Sequence, residues 1–191
     1  MFYTSHMSKR TQKMLLVLLI AVIGLFTSAQ VVPNKSAFTA TSSSISSTEW
    51  YPVTKVVDGD TIDVNIDGKT TRVRFIGLDT PEVVDPRKTV QCFGKEASDE
   101  AKKILTGQSV RLETDPTQST YDKYDRLLAY VYAPANVTPE GILVNKYMIA
   151  EGYGHEYTYD APYKYQSEFK AAEKSARQAE KGLWAPGICA S

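Results

Sequence analysis

A chain of 191 residues with 42% hydrophobic side chains is long enough for one ordinary globular core, and its 22 basic residues equal its 22 acidic ones. Such a balance excludes a nucleic-acid binder that relies on overall basic excess, since counterion release needs a basic surface. Two histidines and two cysteines leave few ligands for a zinc site.

Lys9, Arg10 and Lys13 precede the apolar run Met14 to Phe26, and Thr27-Ser28-Ala29 follows as a small-residue cleavage pattern. Residues 1–29 therefore read as a secretory signal, with the leader best started at Met7; an uncleaved membrane anchor is the alternative. Thirteen apolar residues fall short of the roughly 20 that span a bilayer. The leader carries three of the basic residues and no acidic one, so the remainder holds 19 basic against 22 acidic, a formal charge of −3. Residues 30–48 read as a linker, because nine of the fifteen residues Asn34 to Thr48 are Ser or Thr. The folded domain is expected over 49–191.

Period-two alternation predicts strands at Trp50 to Val57, Thr61 to Ile66 and Thr70 to Gly77, the last two joined by the hairpin dipeptide Asp67-Gly68. Folding that hairpin would bring Asp58, Asp60, Asp79 and Glu82 close to Arg74. Carboxylates beside an arginine are what a hard cation and a phosphodiester require at one site. Val83 to Gln91 reads as a mobile loop at the edge of that pocket. Helical spacing of Ala97, Ala101, Ile104 and Leu105 predicts a helix from Lys95 to Leu105, stopped by Gly107.

Ser109 to Glu113 and Leu127 to Tyr132 complete five strands, the number for a small Greek-key barrel. A short helix is expected over Val144 to Glu151. A longer one is expected to start after Asp160-Ala161-Pro162 and run to Lys181, with Tyr165, Phe169, Ala172, Ala176 and Ala179 packed on the barrel. Cys92 and Cys189 are expected to pair, as two cysteines in a secreted chain most simply do. His155 is the one histidine beyond the leader, which removes mechanisms built on two imidazoles. No Gly-rich phosphate loop and no serine nucleophile elbow is present.

Three segments, Val57-Asp58-Gly59-Asp60-Thr61, Arg74 to Glu82 (Arg-Phe-Ile-Gly-Leu-Asp-Thr-Pro-Glu) and Asp122 to Tyr130 (Asp-Lys-Tyr-Asp-Arg-Leu-Leu-Ala-Tyr), together resemble the staphylococcal nuclease family in order and spacing. That resemblance spans about Trp50 to Trp184. It implies an α+β, mainly β fold, a five-stranded OB-fold barrel with three helices. It also implies a secreted monomer, with no obligate protein partner, that hydrolyses DNA and RNA with Ca²⁺ to leave 3′-phosphate ends. By position, Asp60 and Asp79 would bind Ca²⁺ with the main-chain carbonyl of Thr80, and Glu82 would be the general base. Arg74 and Arg126 would hold the scissile phosphate, while Lys123, Tyr124, Tyr157 and Tyr159 would touch substrate.

Taken singly these residues have plainer roles: Asp58 and Asp60 as turn residues, Asp79 to Glu82 as a cap, Arg74 as a strand arginine, and Arg126 as a partner of Asp122 or Asp125. Asp58 is expected to be structural. Asp125 departs from the family, where glycine often precedes the second arginine. A non-catalytic OB-type binding module and a structural Ca²⁺ domain stay open as alternatives; the first would not need all six site residues, and the second would have no use for two arginines.

Overall fold

The computed structural model describes residues 48–83, 89–135 and 141–189. The expected leader, the linker up to Ser47 and most of the expected loop between Glu82 and the first helix lie outside the described residues. Among the described residues no helix is long and apolar enough to cross a membrane.

Three antiparallel strands open the domain: β1 (Trp50–Val56), β2 (Thr61–Ile66) and β3 (Lys69–Phe75). Asp67 and Gly68 both take positive φ (51° and 82°), as the tight turn joining β2 and β3 demands. Thr61 lies opposite Arg74 and Asp63 opposite Arg72 across that hairpin. Asp63 is buried without being apolar, and Arg72 satisfies it in bidentate fashion at 2.8 and 3.0 Å. A two-residue strand β4 (Leu78–Asp79) follows, then helix α1 (Gly94–Leu105), β5 (Ser109–Glu113) and β6 (Leu127–Ala133).

Barrel closure is the step that positions the site. β1 pairs with β2 and β5, β5 with β6, and β6 runs parallel to β3 with Val73 opposite Leu127 and Arg74 opposite Leu128. The five expected strands thus form a closed barrel. Arg126, the residue before β6, is brought to the end of the barrel where Arg74 leaves β3. β6 is buried along nearly its whole length, because one of its faces lines the barrel and helices cover the other. Ile62, Val64, Val73, Val110, Leu112, Leu127 and Val131 are fully buried within it.

β7 (Ile142–Leu143) leads into α2 (Val144–Ala150), whose buried Asn145 accepts from the Val131 amide at 2.9 Å and donates to the Ile76 carbonyl at 2.8 Å. One polar side chain so fixes this helix to β6 and to the chain leaving β3. β8 (His155–Glu156) pairs antiparallel with β4, and α3 (Gln166–Gln178) ends before the 3₁₀ turn Gly182–Trp184. α1 buries Ala97, Ala101 and Leu105, as the spacing predicts. Cys92 and Cys189 form a disulfide. Closing a loop with a separation of 97 residues stabilises the fold by about 4 to 5 kcal/mol in the chain-entropy picture.

Several expected boundaries are corrected. β3 stops at Phe75 instead of Gly77, because Gly77 turns with φ 73° and the buried Tyr163 ring occupies the space a Cβ would need, 2.6 Å away. That same ring delays α3. Residues 161–164 are bound outward, with Lys164 N–H donating to Asp115 and the carbonyls of Ala161 and Pro162 accepting from Gln118, so the helix starts at Gln166 instead of near Asp160. Neither Asp160 nor Pro162 caps it. At its other end Ala179 is exposed, and the apolar stripe ends at Ala176.

Candidate active site

The acidic corner begins where β1 turns into β2. Val57 N–H donates to the Thr61 carbonyl at 2.9 Å, and Asp60 N–H donates to Asp58 Oδ1 at 3.2 Å. Asp58 therefore has the turn-forming geometry expected of it. Thr80 lies so close over Gly59 that a Cβ there would sit 2.8 Å from its side chain. This contact lets Thr80 donate to Asp60 Oδ2 through its amide at 2.9 Å and its hydroxyl at 3.1 Å, while Thr61 donates to Oδ1. Asp60 is buried, and the bonds it accepts hold its carboxylate in one orientation.

Arg74 joins the two halves of the corner. Nη1 pairs with Asp60 Oδ2 at 2.9 Å and donates to the Leu78 carbonyl at 2.7 Å, and Nη2 pairs with Asp79 Oδ1 at 2.9 Å. Its side chain is only 13% exposed, while that of Asp79 is 52% exposed. Burial raises the Asp79 carboxyl above its ordinary value; Arg74 opposes that rise and the charge of Asp60 adds to it. Asp58 is pushed up to about 7, first by burial and then by the charge of Asp60. The corner holds more negative charge than one guanidinium neutralises.

Arg126 is set by a different device. Asp122 accepts from the Arg126 amide at 3.0 Å, from its Nε at 2.6 Å and from the Tyr124 amide at 2.9 Å. Burial alone would raise Asp122, yet these bonds hold it below the usual carboxylate value. The plainer expectation, Arg126 paired with Asp122, is thus what the geometry shows, and it leaves the guanidinium facing a cleft. Asp125 takes φ 61°, the left-handed conformation that glycine adopts freely.

Both arginines line one cleft of about 500 Å³, together with Asp79, Lys123, Tyr124, Tyr157 and Tyr159. All four residues expected to touch substrate therefore share one space with the two expected phosphate ligands. Asp60, Thr80 and Glu82 do not form its walls; Arg74 connects Asp60 to it, and Thr80 follows Asp79 directly in the chain. Glu82 is fixed through its backbone, its amide donating to Gln91 Oε1 at 2.7 Å and its carbonyl accepting from the Gln91 amide at 3.0 Å. Cys92, next in sequence, carries the disulfide.

Some contributors escaped the sequence-based expectations. Gln91 anchors Glu82 by closing the segment that follows it, a role no local pattern announces. Asp122 is expected only as a plain partner of Arg126; that the same pairing aims the guanidinium at the cleft is not. Thr117 and Gln118 donate to the Pro162 and Ala161 carbonyls, tying together the two loops that wall the cleft.

A hard cation suits the donors at this corner. Asp79 meets Arg74 through one oxygen, Asp60 Oδ1 accepts a single hydrogen bond, and the Thr80 carbonyl follows Asp79 directly. Two carboxylates and a carbonyl leave several positions to water, which Ca²⁺ and Mg²⁺ accept and thiolate-seeking metals do not. Among the described residues no group of three or more His, Cys, Asp or Glu side chains is arranged to hold a metal, so a carbonyl and water would have to complete the shell.

The sequence model of the staphylococcal nuclease homologue family matches residues 72–186. The chain is 39% identical over 170 residues to the thermonuclease of Staphylococcus hyicus, covering 89% of this chain and 95% of that relative. It is 36% identical over 178 residues to the thermonuclease of Staphylococcus intermedius, covering 93% and 99%. Over 131 residues it is 36% identical to the SPbeta prophage-derived endonuclease YokF of Bacillus subtilis (strain 168), covering 68% of this chain and 42% of that one. With the barrel closed as that family requires and its three motifs in order, the chain belongs to the staphylococcal nuclease family.

Proposed function

We propose that this chain is an extracellular nuclease that uses Ca²⁺ to hydrolyse phosphodiesters of DNA and RNA, leaving 3′-phosphate ends. The observation that carries the reading is the pair of arginines, one clamped by Asp60 and Asp79 and the other by Asp122, facing one cleft. The thermonuclease relatives support nucleic acid as substrate. The disulfide fits an oxidising compartment.

Attack of water on a phosphodiester adds negative charge to oxygens that already repel a nucleophile. Glu82 would take the proton from that water as its oxygen bonds to phosphorus, and the P–O5′ bond would break, the departing oxygen taking a proton from solvent to leave a 5′-hydroxyl while Glu82 returns its own to solvent. A positioned carboxylate base typically contributes about 10²- to 10⁴-fold. Arg74 and Arg126 would bind the growing charge on the phosphoryl oxygens, and because carboxylates already hold both guanidinium groups, little reorganisation is needed. Asp60, Asp79 and the Thr80 carbonyl would hold Ca²⁺, which supplies Lewis-acid polarisation of a phosphoryl oxygen. Exposed tyrosines and Lys123 would receive the rest of the nucleotide.

The test incubates the purified protein with single-stranded DNA in Ca²⁺, in chelator, and as the Glu82→Gln variant. Cleavage is expected in Ca²⁺ alone and should fall by at least about 10²-fold in the variant. A parent that cuts no better than the variant, or as well in chelator as in Ca²⁺, ends this reading.

A further inference from the structure

Four tyrosines are exposed among the described residues, namely Tyr121, Tyr124, Tyr157 and Tyr159, and all four line the cleft that holds Arg74 and Arg126. Scattered aromatic exposure needs no explanation, but confinement of every exposed tyrosine to one charged cleft does. Three of the four were expected on family position; Tyr121 was not. It lies on the same loop as Tyr124, and Tyr157 and Tyr159, whose rings are 6.3 Å apart, line the cleft from a second segment.

The Tyr121 ring is half exposed, and no hydrogen bond, ring contact or ion pair among the described residues engages its side chain. Its backbone, by contrast, is held on both sides: Leu128 N–H donates to the Thr120 carbonyl at 2.9 Å and Asp122 N–H to the Arg126 carbonyl at 3.0 Å, with a bridge between Tyr121 and Leu127. That second segment is tied to the same loop through Thr117 and Gln118. A fixed backbone presenting an unengaged ring offers a base a surface to stack on, with only the ring's own rotamer left to be ordered on binding.

We infer that Tyr121 stacks an unpaired nucleobase of the bound strand, in addition to the base received by the other tyrosines, and so favours single-stranded over duplex substrate; this rests on the nuclease reading above. The occupant follows from the chemistry beside it. Arg126 and Lys123 on the same loop supply cationic contacts for a polyanionic backbone, and the π-face of any base suits the ring.

The experiment measures equilibrium binding of oligothymidylates to the parent, Tyr121→Ala and Tyr121→Phe in Ca²⁺ with a non-hydrolysable backbone, alongside KM and kcat on cleavable strands. From a dinucleotide to a strand of about eight nucleotides the parent should gain affinity, and Tyr121→Ala should lose roughly 5- to 100-fold of it, the factor that base–aromatic stacking carries. Tyr121→Phe should restore it, and KM rather than kcat should carry the change, with the loss much smaller on duplex. The inference is overturned if Tyr121→Ala binds long strands as the parent does, if dinucleotide and long strand weaken equally, or if Phe fails to rescue. A parent that cleaves well while Tyr121→Ala binds normally overturns the inference alone; a parent that neither binds nor cleaves overturns the nuclease reading with it.

Discussion

The acidic corner and the tyrosine cleft share Arg74 and Asp79 yet are built on opposite plans. The corner is made by strands: Asp60 and Arg74 sit at matched ends of the β2–β3 hairpin, buried and joined at 2.9 Å. The cleft is made by loops laced together by Thr117 and Gln118 side chains donating to the Pro162 and Ala161 carbonyls, with aromatic side chains left in solvent. Fixed charge close to the chemistry lowers a barrier, whereas exposed rings further out add affinity without discriminating ground state from transition state. Substitutions in the first region should therefore act on kcat and those in the second on KM or on stability.

The sharpest break of that contrast is Arg74→Lys. The charge survives, but an ammonium cannot hold Asp60, Asp79 and the Leu78 carbonyl at once as the planar fork does. Turnover of single-stranded DNA should drop by about 10²- to 10³-fold with KM little altered, by analogy with loss of one preorganised donor. Steady-state kinetics showing near-parental kcat would mean that the corner contributes charge alone.

Much of the corner was legible before the fold, and the cleft much less so. Asp67-Gly68 announces its turn locally, Asp58 and Asp60 flank a glycine, and alternation in β2 and β3 fixes which residues face each other. Those are short-range signals. Exposure of a tyrosine is decided by whatever covers it: Tyr130 and Tyr163 are buried and Tyr121 is not, though nothing local separates them among twelve tyrosines. The start of α3 was misplaced for the same reason, because docking of Tyr163 on Gly77 overrides the proline and acidic cap signals near Asp160. The two-residue ribbon of β4 and β8 is too short to carry a period at all.

A smaller effect should come from behind the loop that carries Thr117, where Asp115 accepts from the Thr117 amide and hydroxyl, the Tyr130 hydroxyl and the Lys164 amide at 2.7 to 2.9 Å. Burial raises its carboxyl, but these donors outweigh burial and hold it below the ordinary carboxylate value. A depressed folded value means that its stabilisation is complete above the ordinary carboxylate range and is lost as pH falls through the lowered value. Asp115→Asn presents an amide to donors on one side and should cost about 1–3 kcal/mol at neutral pH. Urea denaturation from pH 7 downward should show the gap between parent and variant closing below about pH 4; a gap independent of pH would assign the loss to packing.

The smallest expected effect sharpens how far the loop wall is tuned for its charge. Asp125 holds φ 61° beside Arg126 and its carboxylate is exposed, so it has no buried partner to lose. Glycine removes the left-handed strain, of order 1 kcal/mol and less for aspartate than for most residues, but loosens the unfolded chain by a comparable amount. Asp125→Gly should therefore move stability by no more than about 1 kcal/mol in either direction. The charge change is the more telling part. Without a carboxylate next to Arg126, KM for single-stranded DNA should fall by a few-fold at low ionic strength and converge on the parent as salt screens the local field over about 10 Å at 0.1 M. A drop in KM that persists at high salt would point to loop geometry, and a change in kcat would show that the neighbouring carboxylate also tunes the hold of Arg126 on the charge that grows during the reaction.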